Sequence, residues 1–181
     1  MALEQLIIAA ARIAGSLPVL RWAFFGVLLA IVVDFSDLFM MNLIDFGEVW
    51  DYQTFDKWID QVYMLTFLWV AVRQWDGPGR TVAVLLFAFR AIGFVAFEFT
   101  GDRWVLFLFP NVFEFWFVAI AAQRHWWPEY EFTAKRILIW LLICTVLKLT
   151  QEYILHVWQV LDNYTAVGVV TAWWEFLVGL F

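Results

Sequence analysis

Cysteine is almost missing from this 181-residue chain, and the single Cys144 excludes an intrachain disulfide and any cysteine-rich metal site. Charge is thin as well: 15% of residues are Asp, Glu, Lys or Arg, against about 25% in an ordinary globular domain. No glycine-rich phosphate loop, GxSxG, HExxH or CxxC occurs, which removes the usual nucleotide, hydrolase, metalloprotease and redox signals. No basic patch supports nucleic-acid binding. Internal repeats, low-complexity tracts and a soluble domain are absent too, so residues 1–181 read as one domain.

What the chain has in excess is apolar surface. Hydrophobic residues make up 65% of it and aromatic ones 21%, including 13 tryptophans. That is more than one soluble core can bury, and the bilayer is the expected solvent. Apolar windows between helix breakers predict six spans, at residues 18–34, 58–75, 81–99, 104–122, 137–159 and 166–181. The expected fold is therefore all-α, a polytopic integral membrane helix bundle. The breakers fall where they belong, with Pro18 at the start of the first span and the DGPG turn at residues 76–79, Gly101 and Pro128 between spans.

The start lacks the positive n-region of a secretory leader, because Glu4 precedes Arg12. Leu3, Leu6, Ile7, Ala10 and Ile13 recur at helical spacing, so residues 2–15 read as an amphipathic helix lying in the interface. Arg12, Arg21, Arg73, Arg80, Arg124, Lys135 and Arg136 fall on one side of six alternating spans, against Lys57 and Arg103 on the other. The positive-inside bias then puts both termini in the cytoplasm, in a plasma or bacterial inner membrane. Trp50, Tyr52, Trp58, Trp104 and Tyr164 suit the outer headgroup level, and Trp75, Trp126, Trp127 and Tyr130 the inner.

Charges inside the spans are the informative exceptions. A charge at mid-bilayer costs about 2.5–3.5 kcal/mol on insertion scales, so such groups face a bundle interior or wet cavity and have partners. Arg90, Glu114, Lys148 and Glu152 are of this kind. Cys144, Lys148, Glu152 and His156 step by four along the fifth span and form one polar ladder, leaving Leu141, Leu142, Val146, Leu149 and Ile154 for packing or lipid. Asn111 and Glu114 share a face of the fourth span, which Pro110 is expected to kink or loosen, freeing backbone carbonyls. Three readings of these charges stay open: structural ion pairs joining Arg90 to Glu114 and Lys148 to Glu152, a pathway for protons, cations or a small polar solute, or interfacial snorkelling.

The connection at residues 34–57 is acidic and expected to face outward. Asp34, Asp37, Asp45 and Glu48 are spaced so that a helical segment brings carboxylates together on a divalent cation, although the calcium-loop pattern is not met. The same acids suit an amphipathic helix on the outer leaflet or a cation-concentrating mouth. A two-histidine metal site is not expected, because His125 and His156 fall on opposite sides. No cofactor is expected beyond that possible divalent cation.

The function expected is a channel or secondary transporter, with Glu114 and Glu152 as exchangeable carboxylates, Arg90 and Lys148 as counter-charges and His156 as an entry relay. Its rivals are a metal-dependent lipid-headgroup enzyme at Asp34 and Asp37 and a non-catalytic membrane subunit. The expected partners are the bilayer, the transported solute, and a second copy or another membrane protein.

Overall fold

In the computed structural model, the described residues are 3–43 and 52–153, with 171, 174, 175 and 178. They are all-α. The helices are α1 (Leu3–Ser16), α2 (Ala23–Leu43), α3 (Tyr52–Gln74), α4 (Gly77–Thr100), α5 (Arg103–Leu108), α6 (Val112–Trp126) and α7 (Ala134–Glu152), with a single 3₁₀ turn at Leu17–Leu20. Of the expected spans, α4 meets the length and apolar composition needed to cross a membrane, while Leu6–Leu20 and Ala23–Asp34 are shorter apolar stretches.

The first departure from the sequence reading is α1. It does not stand apart as an interfacial helix but packs on α2 and α3. Its inward stripe is Ile8, Arg12, Gly15 and Ser16, continued by Val19, and all five are buried. A Cβ on Gly15 would touch Val33, and one on Gly26 would collide with the backbone of Pro18 and Val19. Glycine at both places lets the first leg and α2 close into an antiparallel hairpin. Pro18, at the start of the 3₁₀ turn, has no N–H to leave unsatisfied there.

The helices then alternate. Gln74 Nε2 donates to the Leu20 carbonyl at 2.7 Å, which ties the end of α3 to the hairpin turn. Gly77, at φ 68°, supplies the left-handed residue that starts α4, and Gly101, at φ 66°, ends it. The Gly101 N–H donates to the Phe97 carbonyl at 2.8 Å. Asp102 then caps α5 by accepting from the Trp104 N–H at 2.9 Å.

The expected fourth span is broken outright. Helix α5 stops at Leu108 and α6 starts at Val112, because Pro110 cannot donate and its ring excludes a continuous ladder. Gly93 of α4 allows this break to lie close, since a Cβ there would collide with Phe109.

Helix α6 touches α2, α3, α4 and α7 and is the centre of the array. Its Phe113, Trp116, Phe117 and Ile120 pack with Met64, Phe67, Val70 and Trp75 of the α3 region. Phe117 stacks between Phe67 and Trp75, each 4.7 Å away between centroids. The outward faces are apolar as well: Leu85, Phe89, Ile92, Val95 and Phe99 run exposed along α4, and Leu138, Leu142 and Val146 along α7.

Candidate functional site

Two polar clusters lie inside this apolar array. The first unites three helices: Arg12 Nη2 of α1 lies 2.6 Å from Asp34 Oδ1 of α2, and Arg12 Nη1 lies 3.1 Å from Asp60 Oδ1 of α3. Arg12 is buried although it had been assigned to the arginine-rich end, because α1 runs inward along α2 rather than flat. Asp34, read from the sequence as a metal-ligand candidate, has its Oδ1 engaged by the Arg12 guanidinium. Among the described residues no cluster of three or more His, Cys, Asp or Glu could hold a metal ion. The Asp37 side chain, Asp45 and Glu48 lie outside the described residues.

The second cluster joins α6 and α7. Lys148 Nζ lies 3.0 Å from Glu152 Oε1 and donates to Gln151 Oε1 at 3.0 Å. It also lies 5.9 Å from the centroid of the Phe115 ring on α6. Cys144 and Lys148 are the buried residues of α7, so the four-residue step does place the ladder inward, with Leu142 and Val146 turned out. His156 lies outside the described residues.

Asn111 and Glu114 sit at the start of α6, immediately after the Pro110 break. Asn111 Nδ2 donates to Glu114 Oε2 at 3.2 Å. Asn111 Oδ1 is buried and has no donor among the described residues, an unusual state for an interior acceptor. The residue stands at the N-cap without making the cap bond, because its amide turns to the carboxylate instead.

Arg90 does not pair with Glu114 as the spacing suggested. Its Nη1 donates to the Phe109 carbonyl at 2.8 Å, so a tethered cation satisfies the acceptor that the helix break frees. The four inner charges of the sequence reading are thus two arrangements: a side-chain pair on α7 and a carboxylate and a cation on either side of the break.

The clusters face one another. Glu114 feels the charges of Lys148, Asp34, Glu152 and Arg90. Tyr63 of α3, also buried, feels those of Asp60, Glu114, Asp34 and Arg12. Phe24 of α2 stacks on His125 of α6, which brings these two helices into contact. The sequence reading counts Arg12 with the positive side and Asp60 with the acidic outer segment, and does not single out Tyr63. The available signal was the stripe Ile8, Arg12, Ser16 and Val19, whose four- and three-residue steps belong to one inward face.

Two clefts lie elsewhere among the described residues, at the end carrying Arg21, Gln74, Arg124 and His125. One, of about 470 Å³, is lined by Asp76, Gly79, Gln123, Arg124, Glu131 and Phe132 among others. The other, of about 290 Å³, lies between the start of α2 and the ends of α3 and α6. Neither is lined by the interior charges. Compared with models of protein families, with curated proteins and with solved structures, the chain matches none.

Proposed function

We propose that the chain is a multi-pass membrane protein that carries protons or small cations past Glu114, with the belt of Arg12, Asp34, Asp60, Asn111, Lys148 and Glu152 as its interior polar lining. The observation that supports this is the interrupted helix. Asn111 and Glu114 present a carboxylate and an unoccupied amide oxygen at the break between α5 and α6, in a region whose outer surface is apolar. Broken helices at mid-depth are a common way to offer backbone and side-chain oxygens to ions in transporters. Ionisable groups kept inside a membrane at a cost of a few kcal/mol each are functional candidates by default.

In this reading the arginine-bearing end is cytoplasmic, following the positive-inside bias. The first leg then starts on the opposite side, which revises the expectation that both termini are cytoplasmic. Asp34, engaged by Arg12, gives no support to a metal-dependent lipid enzyme.

The test is proton and cation flux into proteoliposomes, reported by entrapped dyes, for wild type and Glu114→Gln, with thermal midpoints of both measured in detergent. Flux lost in a variant that keeps its midpoint supports carriage at Glu114. Flux equal in both proteins, or absent from both, overturns it and leaves the belt as structural polar pairing.

A further inference from the structure

The smaller cleft at the arginine-bearing end is a different kind of site. Its walls are Arg21 and Trp22 just before α2, Phe24 and Phe25 in its first turn, Gln74 and Trp75 at the end of α3, and Arg124 and His125 at the end of α6. No carboxylate lines it. Both arginines lack an acidic partner among the described residues. The Arg21 guanidinium lies 6.0 Å from the centroid of the Trp22 ring, and Arg124 Nη2 donates to the Gln74 carbonyl at 3.3 Å. His125 is fixed between rings, stacked on Phe24 at 5.7 Å and edge-on to Phe25 at 5.1 Å, yet its residue remains exposed. Two positive charges, of which Arg124 is tethered to the Gln74 carbonyl, and an imidazole around a 290 Å³ space suit an anion.

The surface leading away from the cleft distinguishes the kind of anion. Phe25, Leu29 and Val32 step by four and three along α2 and are 58%, 45% and 64% exposed. They make an apolar stripe that begins at the cleft wall and runs roughly 10 Å up the helix. A free inorganic anion has no use for such a stripe, whereas an acyl chain attached to the anion does.

We propose that this cleft binds the phosphate headgroup of an acidic phospholipid, held by Arg21 and Arg124, with one acyl chain lying along Phe25, Leu29 and Val32. This rests on the membrane reading but not on carriage at Glu114. Zwitterionic lipids, which bring a cationic group into a site lacking carboxylates, bind less well.

The test uses the full chain in neutral detergent, with bound lipid counted by native mass spectrometry after addition of phosphatidylglycerol or phosphatidylcholine. Wild type is expected to retain phosphatidylglycerol preferentially. The Arg21→Gln/Arg124→Gln variant should lose that preference by a factor on the order of tenfold, while Arg80→Gln, outside the cleft, keeps it. Val32→Asn, at an exposed position, provides a second variant if the double substitution fails to fold, and should weaken retention without altering the charge.

Equal retention of the two lipids, or a preference unchanged in the double variant, overturns the proposal. Displacement of the lipid by millimolar inorganic phosphate also overturns it, by making the site one for free anions. A separate alkaline wash of cell membranes reads the membrane assignment itself. A chain that washes off fails that assignment, and one that stays while binding both lipids equally fails only the present inference.

Discussion

Arg12 on the first helix lies 2.6 Å from Asp34 on the second, and through its other terminal nitrogen 3.1 Å from Asp60 on the third. One guanidinium therefore holds three helices together. Replacing it by methionine keeps the length of the stem but leaves two carboxylates facing each other without their cation. Removing one member of a buried pair costs about 3–5 kcal/mol. Here the Asp34 and Asp60 side chains are 34% and 27% exposed and water offsets part of that, so the expected loss is about 2 kcal/mol. The thermal midpoint in detergent should fall for Arg12→Met and recover substantially in Arg12→Met/Asp34→Asn/Asp60→Asn. A midpoint unchanged in Arg12→Met would show that the three groups do not act as a unit.

That pairing also shows what the sequence could and could not disclose. Periodicity within α7 made its inward face readable, because Cys144, Lys148 and Glu152 repeat every four residues and no other charge falls between them. The partner of Arg12 was not readable in this way. Its nearest acids along the chain are Glu4 and Asp34, and nothing local says whether α1 lies flat or folds back. The decision is made by Gly15 and Gly26, whose missing side chains admit the close approach of α2. Pro110 was recognised as a disturbance of the fourth span, yet its consequence depends on Gly93 and Arg90 in a different helix. Contacts between helices, rather than patterns within one, were the illegible part.

Gly93 gives a sharp test of that contact. A methyl group there would collide with Phe109, whose ring also packs on Phe89 at 4.7 Å and whose carbonyl receives Arg90. Gly93→Ala should destabilise by about 1–3 kcal/mol, the usual cost of overpacking. Gly79→Ala is the matched control, because its nearest neighbour, Ile120, would lie at an ordinary 3.6 Å. The control should be neutral or gain up to about 1 kcal/mol from the reduced freedom of the unfolded chain. Urea or heat unfolding in detergent compares the two, and equal midpoints would contradict the close approach of α4 to the break.

Trp116 is fully buried and donates its indole N–H to the Gly79 carbonyl at 3.0 Å, linking α6 to the first turn of α4. Trp116→Phe removes the donor and empties part of the core, while the Gly79 carbonyl keeps its place in the α4 ladder. The lost hydrogen bond alone accounts for about 0.5–1.5 kcal/mol. Hydrogen exchange measured by mass spectrometry should show the first turn of α4 losing protection more than the far end of the helix. Uniform loss along α4 would mean that the indole contributes volume and not a specific tie.

The Lys148–Glu152 pair separates a structural belt from a conducting one more cleanly than either residue alone. Lys148→Met removes the cation beside Glu152, and Glu152→Gln removes the anion beside Lys148, which keeps its bond to Gln151, so each single change should cost about 2 kcal/mol of stability. The double variant removes both charges together, and its midpoint should return close to wild type, because the cost came from the lost partner and not from the lost pair. If the belt only secures helix α7, the double variant is stable and its flux in proteoliposomes equals that of wild type. Carriage past Glu114 predicts a different outcome. The double variant strips two charges from the proposed lining, so flux should fall severalfold in a protein that remains fully folded.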